Sequence, residues 1–203
     1  MGKEIEQKFL VRDLGKVKNR LLELGAEEIH PRHFERNLLF DDSSGSVKNR
    51  GGILRLRQSG DKAILTVKLP PESPSDEAKV RQEFQVEVSD FEEAKRLLKA
   101  LGFEPWGGYE KYREEFRLGG AIVALDEMPF GDFVEIEGDL DEIKAVARSL
   151  GLDLGKRILR GYPNLVASAK ETFGLDLSFL SFDGRRWKVD WEKLGIEPAD
   201  LDY

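Results

Sequence analysis

Glu4-Ile5-Glu6-Gln7-Lys8 sets two carboxylates and an ammonium at every second position near the start of the chain. In a strand, alternate side chains leave the same face, so Glu4, Glu6 and Lys8 stand together while Ile5 and Phe9 point away. The same layout returns along the chain: Arg55 with Arg57, Lys68 with Thr66, Arg81 with Glu83, Gln85 and Glu87, Lys111 with Arg113, and Glu135 with Glu137. Asp126 lies opposite Val123 and Leu125. Glu4, Glu6, Glu83, Glu87, Asp126, Glu135 and Glu137 are hard oxygen ligands suited to magnesium or manganese. Lys8, Arg55, Arg57, Lys68, Arg81, Lys111 and Arg113 can clamp phosphoryl oxygens, the arginines in bidentate fashion. Like charges confined together repel, and a divalent cation plus a polyphosphate would neutralise both sets.

The elements that carry these residues can be read from period and punctuation. Strands are expected over residues 3–11, 33–41, 53–58, 62–69, 81–88, 111–118, 121–128 and 133–137. Asp13 caps a helix that Gly25 stops, Asp90 caps one that Gly102 stops, and further helices run over about 140–150 and 163–173. Ser59-Gly60-Asp61 and Gly119-Gly120 make hairpin turns. The segment 42–52 is a polar loop long enough to move, and the proline-rich stretch from Pro70 to Asp76 reads as a flexible flap. Eight strands in antiparallel succession thus present one apolar side, which the amphipathic helices can cover, and one ionic side. The ionic side either faces water or closes on itself; eight strands suffice for a small barrel.

Composition narrows the chemistry. The chain has 203 residues, 40% hydrophobic and 35% charged, with net charge −7. That suits one globular domain and argues against general attraction to nucleic acid or an anionic membrane. With no cysteine and two histidines, thiolate chemistry and a three-histidine zinc site are excluded. No signal peptide or membrane-length apolar span is seen, so a cytoplasmic location is expected. Few Asn and Gln beside many Glu, Lys and Arg fit a thermophile source. His33 reads as a strand residue, and Trp106, Trp187 and Trp191 as packing.

Taken in order, these segments resemble the CYTH superfamily, the triphosphate tunnel metalloenzymes. The resemblance rests on Glu4-Ile5-Glu6-Gln7-Lys8, His33-Phe34-Glu35 with Phe40-Asp41, Leu54-Arg55-Leu56-Arg57, Leu65-Thr66-Val67-Lys68, Arg81 to Glu87, Lys111-Tyr112-Arg113, Leu125-Asp126 with Gly131 to Gly138, and Arg160-Gly161-Tyr162. Gln85 stands where many members carry a carboxylate. The resemblance implies an α+β fold, an eight-stranded antiparallel closed β-barrel with helices packed outside. Residues 1–173 would form this domain, and 174–203 an extension packed on it or used in a dimer contact. The short spacing from Arg113 to Asp126 looks most like the class IV adenylate cyclase-like branch.

That branch implies an Mg2+- or Mn2+-dependent conversion of ATP to cyclic AMP and pyrophosphate. Hydrolysis of inorganic triphosphate, thiamine triphosphate or a nucleoside triphosphate is the alternative, and binding without turnover a third. Lys8 and Glu137 are the expected catalytic residues, Lys8 as a phosphate ligand or, with its pKa depressed, a base. The resemblance and the apolar extension also allow a homodimer.

Overall fold

A computed structural model describes residues 2–73, 75–173, 179–182, 187–199 and 201. Pro74 of the expected flap, and residues 174–178, 183–186, 200 and 202–203 of the expected extension, lie outside the described residues. Strand β1 (Gly2–Val11) leads to helix α1 (Leu14–Glu23) and the long strand β2 (Glu27–Asp42). β3 (Ile53–Ser59), β4 (Lys62–Leu69) and β5 (Lys79–Val88) follow, then α2 (Phe91–Ala100). A second long strand, β6 (Phe103–Leu118), precedes β7 (Ala121–Met128), β8 (Gly131–Glu137), α3 (Leu140–Ser149), α4 (Tyr162–Phe173) and the two-residue β9 (Phe179–Leu180).

The strands are ordered β2-β3-β4-β5-β1-β8-β7-β6, and β6 pairs back onto β2, closing an eight-stranded antiparallel barrel. Closure settles the choice the sequence left open: the ionic face is the interior. β9 adds in parallel to β6 at Gly108 and Tyr109. Only glycine fits at 108, because a Cβ there would lie 2.4 Å from the Asn37 carbonyl oxygen and 2.6 Å from the Phe179 ring.

The apolar outer face is covered as the helix periodicity requires. The Asp13 carboxylate accepts from the Gly15 and Lys16 amides, and α1 then buries Val17 and Leu21 beside Phe9, Phe116, Val123 and Ile136. α3 completes that cluster with Ile143, Val146 and Ala147. Asp90 caps α2 at the Glu93 amide, 2.7 Å away, and α2 sets Phe91 and Leu98 against Phe40, Leu54 and Leu56. α4 covers Phe130 and Phe133 with Tyr162 and Leu165, and Trp191 packs edge-on to Phe133 at 5.6 Å between ring centroids. Among the described residues, no helix is long and apolar enough to cross a membrane.

The 42–52 loop and the C-terminal end of the expected flap are tied down. The Asp41 carboxylate accepts from the amides of Val47 and Lys48, which folds the 42–52 loop onto itself. After Pro74, the Gln7 side chain donates to the Glu77 carbonyl at 2.6 Å, Arg157 donates to the Asp76 carbonyl, and Lys144 pairs with the Glu77 carboxylate.

Candidate active site: two charged walls in one cavity

Inside the barrel is a cavity of about 250 Å³. One wall is acidic: Glu4 and Glu6 on β1, Glu83 on β5, and Glu135 and Glu137 on β8. The other is basic: Arg55 and Arg57 on β3, Lys111 and Arg113 on β6. Lys68 on β4 and Lys8 on β1 also line the space.

Three predicted residues sit elsewhere. Arg81 is at the barrel edge, where its guanidinium donates to the Gly51 carbonyl at 3.2 Å and holds the 42–52 loop. Asp126 is fully buried behind the basic wall. It accepts from Arg113 through both oxygens (2.6 and 2.5 Å), from Lys111 at 3.1 Å and from the Tyr162 hydroxyl at 2.7 Å. It therefore orients the two cations that face the cavity. Glu87 is exposed and pairs with Lys62 outside.

Four of the five acids of the other wall are met by a cation. Lys68 bonds Glu4 and reaches Glu83 at 3.1 Å. Lys79 bonds Glu6 at 2.6 Å. Lys8 bonds Glu135 and lies 3.6 Å from Glu6, and Arg113 bonds Glu135 too. Burial pushes Glu6 up, but the ammonium groups of Lys79, Lys8 and Lys68 outweigh it and hold the carboxyl at about 2. Glu135 is likewise held well below the usual range, against its burial, by Lys8 and Arg113. Burial pulls Lys8 down, yet Glu135 and Glu6 more than offset it and raise its pKa. A general base needs the opposite shift, so Lys8 stands here as a fixed cation.

Glu137 behaves differently. Although Glu137 is exposed at the edge of the cavity, partial desolvation there and then repulsion from Glu4, Glu6 and Glu83 carry it to about 7 despite Lys68. Oε2 of the buried Glu4 has no hydrogen-bond partner. Among the described residues no three carboxylates are gathered into a finished metal site. A divalent cation nonetheless suits this wall, since it would satisfy the free Glu4 oxygen and relieve the repulsion on Glu137.

Sequence reasoning missed several participants. Lys79 shares the parity of Glu83, two residues before the predicted start of its strand. Glu35 is 2% exposed and bonds Arg57 at 3.1 Å, with Lys111 at 3.5 Å; its alternation with Phe34 and Leu38 was the available signal. Burial pushes Glu35 up, and Lys111, His33 and Arg57 together hold it well below the usual range. Tyr162, read from the sequence only as part of Arg160-Gly161-Tyr162 and given no role, places its ring 4.1 Å from the Lys8 ammonium.

Acid should therefore loosen the fold. Glu6, Glu35 and Glu135 have depressed native values, so their stabilisation is complete above about pH 4.5 and is lost as pH falls towards 2. Glu6 alone should contribute about 3 kcal/mol. Urea denaturation at pH 6 and pH 3 checks this, and equal midpoints would refute the buried network.

The family model of the CYTH domain matches residues 2–162. A Methanocaldococcus jannaschii protein named "Putative adenylate cyclase" is 26% identical over 141 residues, covering 69% of this chain and 79% of that protein. A Vibrio parahaemolyticus structure described in the same words superposes with TM-score 0.73 at 20% identity, covering 81% of this chain and 97% of the other. A Hippeastrum protein, described as a "Putative adenylyl cyclase" with a dominant triphosphatase activity, superposes with TM-score 0.56 at 20% identity over 81% of this chain and 94% of its own. The closed barrel, the charged cavity and the match over residues 2–162 agree: the chain belongs to the CYTH domain family.

Proposed function

We propose that this protein is a metal-dependent enzyme acting on a triphosphate in the barrel, and that its reaction is that of a class IV adenylate cyclase. ATP would give cyclic AMP and pyrophosphate through attack of the ribose 3′-hydroxyl on the α-phosphorus. One observation carries the reading: Arg55, Arg57, Lys111 and Arg113 face Glu4, Glu6, Glu83 and Glu137 across a single cavity. Such an arrangement binds a polyanion and a cation side by side and suits little else.

The basic wall grips the phosphoryl oxygens, with Asp126 fixing the angle of the Arg113 fork and the reach of Lys111. Lys8, charged between Glu135 and Glu6, contacts the phosphate chain, and Lys68 does so from β4. Glu4, Glu6, Glu135 and Glu137 would hold Mg2+ or Mn2+, with Glu83 beside them. That cation, when bound, supplies charge neutralisation at the phosphoryl oxygens. Asp126 supports this set from behind the wall, and Arg81 steadies the loop over residues 42–52. The name of the M. jannaschii relative supports the cyclase reading.

Incubation with Mg2+ or Mn2+ and, in turn, ATP, inorganic triphosphate and thiamine triphosphate tests it. Cyclic AMP with pyrophosphate is the expected product. Orthophosphate instead would make the protein a triphosphatase, and tight binding without product would make it a binding module.

A further inference from the structure

Lys79 is the first residue of β5, directly opposite Glu6 in the register with β1. Its ammonium lines the cavity and bonds Glu6 at 2.6 Å. Its side chain is 11% exposed. The other cavity lysines each reach two carboxylates: Lys8 has Glu135 and Glu6, Lys68 has Glu4 and Glu83, and Lys111 has Glu35 and Asp126. Among the described residues, Lys79 pairs with Glu6 alone.

Its backbone is well fixed, and its head is held by the single carboxylate of Glu6. The preceding residue, Ala78, is buried, and Glu77 is anchored through Gln7 and Lys144. Gly161 faces the ammonium: a Cβ there would stand 3.5 Å from Nζ and 3.6 Å from Cε. The missing side chain leaves the flexible lysine stem room to turn. Lysine is suited to this, being a compact charge with three rotatable donors on a four-carbon stem.

We infer that Lys79 is a further phosphate-binding residue of this cavity, handed from Glu6 to a phosphoryl oxygen when Glu6 takes up a divalent cation. This rests on the triphosphate reading above. The two cations compete for one carboxylate, so the ammonium released by metal binding lies beside the phosphate path without a counter-ion. Metal loading and triphosphate binding then reinforce one another through one side chain. Lys79 acts by binding and positioning; no bond is made or broken at it.

The test reads two affinities in Lys79→Gln, with Lys79→Arg as the charge-preserving variant. Mn2+ titration of the nucleotide-free protein, followed by electron paramagnetic resonance, should show binding about tenfold tighter in Lys79→Gln, because a competing cation is gone. Calorimetric titration of inorganic triphosphate at saturating Mn2+ should show binding about tenfold weaker, the usual loss for one charge-assisted hydrogen bond. Lys79→Arg should stay within about threefold of the natural protein in both. A merely structural role would weaken both affinities together, and that result overturns the inference, as does no change in either. If the natural protein binds neither Mn2+ nor triphosphate, the triphosphate reading falls and this inference with it. If it binds both and Lys79→Gln changes nothing, only the role of Lys79 falls.

Discussion

Glu137→Ala should lose about a thousandfold in metal-dependent turnover and keep its fold. Five carboxylates share one wall, and Glu137 is the one its neighbours burden most, with its pKa carried to about 7 by partial desolvation and by Glu4, Glu6 and Glu83. Near neutral pH it is poised between holding a proton and holding a cation. Cation binding should therefore release a proton and strengthen from pH 6 to pH 8. Deleting the carboxylate removes a ligand where phosphoryl charge must be neutralised, an effect of several kcal/mol in metal-assisted transfer. Stability moves the other way. A carboxyl whose native pKa lies above its unfolded value destabilises the fold once ionised, so the penalty grows from about pH 4.5 to 7 and stays above it. Glu137→Ala should thus unfold at the same temperature as the natural protein at pH 5 and no lower at pH 8. Steady-state assays beside thermal melts decide it. Turnover at the natural rate would remove Glu137 from the ligand set. A lowered melting temperature at pH 8 would contradict the repulsion that defines its place.

The charged interior was legible because strand parity is a local property. Glu4, Glu6 and Lys8, or Arg55 and Arg57, share a face whatever the rest of the chain does, and the caps Asp13 and Asp90 announce α1 and α2 as plainly. What parity cannot say is how deep a side chain sits. Asp126 and Arg81 have the alternation of their neighbours, yet one is sealed behind the basic wall and the other reaches the Gly51 carbonyl. Depth depends on tilt and closure, which are set by partners far along the chain.

The two long strands were read short for a related reason. Pro31 in β2, and Pro105, Gly107 and Gly108 in β6, are strand breakers by local rules. They persist because β2 and β6 pair with each other along most of their length, and three register shifts absorb the misfits. That pairing is what closes the barrel. The feature that turns an ionic face into an interior was thus written in the residues a local reading discounts. Loop 42–52 hid its order likewise, since the Asp41 carboxylate that binds the Val47 and Lys48 amides looks like any loop-edge acid.

Arg55→Ala should raise the KM for a triphosphate substrate about thirtyfold and leave kcat within about twofold. The expectation comes from how the basic wall divides its labour. Arg113 is committed to Asp126 and Glu135, Lys111 to Asp126 and Glu35, and Arg57 to Glu35. Among the described residues Arg55 has no carboxylate within ion-pair distance, and its Nε has no hydrogen-bond partner. Burial works against its charge, which Tyr109 and Glu35 sustain from beside it. A guanidinium so placed has most of its binding capacity free for a phosphoryl group, and one strong charge-assisted contact is worth about 2 kcal/mol. A contact made equally in the bound substrate and the transition state changes KM and spares kcat. Stability gives the second readout, because an under-compensated buried cation costs the fold and its removal should leave the melting temperature unchanged or higher. Arg57→Ala is the contrast, since it strips Glu35 of a partner and should lower the melting temperature as well. If Arg55→Ala instead lowers kcat at constant KM, Arg55 acts on charge that develops only in the transition state, and the division between a gripping wall and a metal-holding wall must be redrawn with Arg55 on the reacting phosphorus.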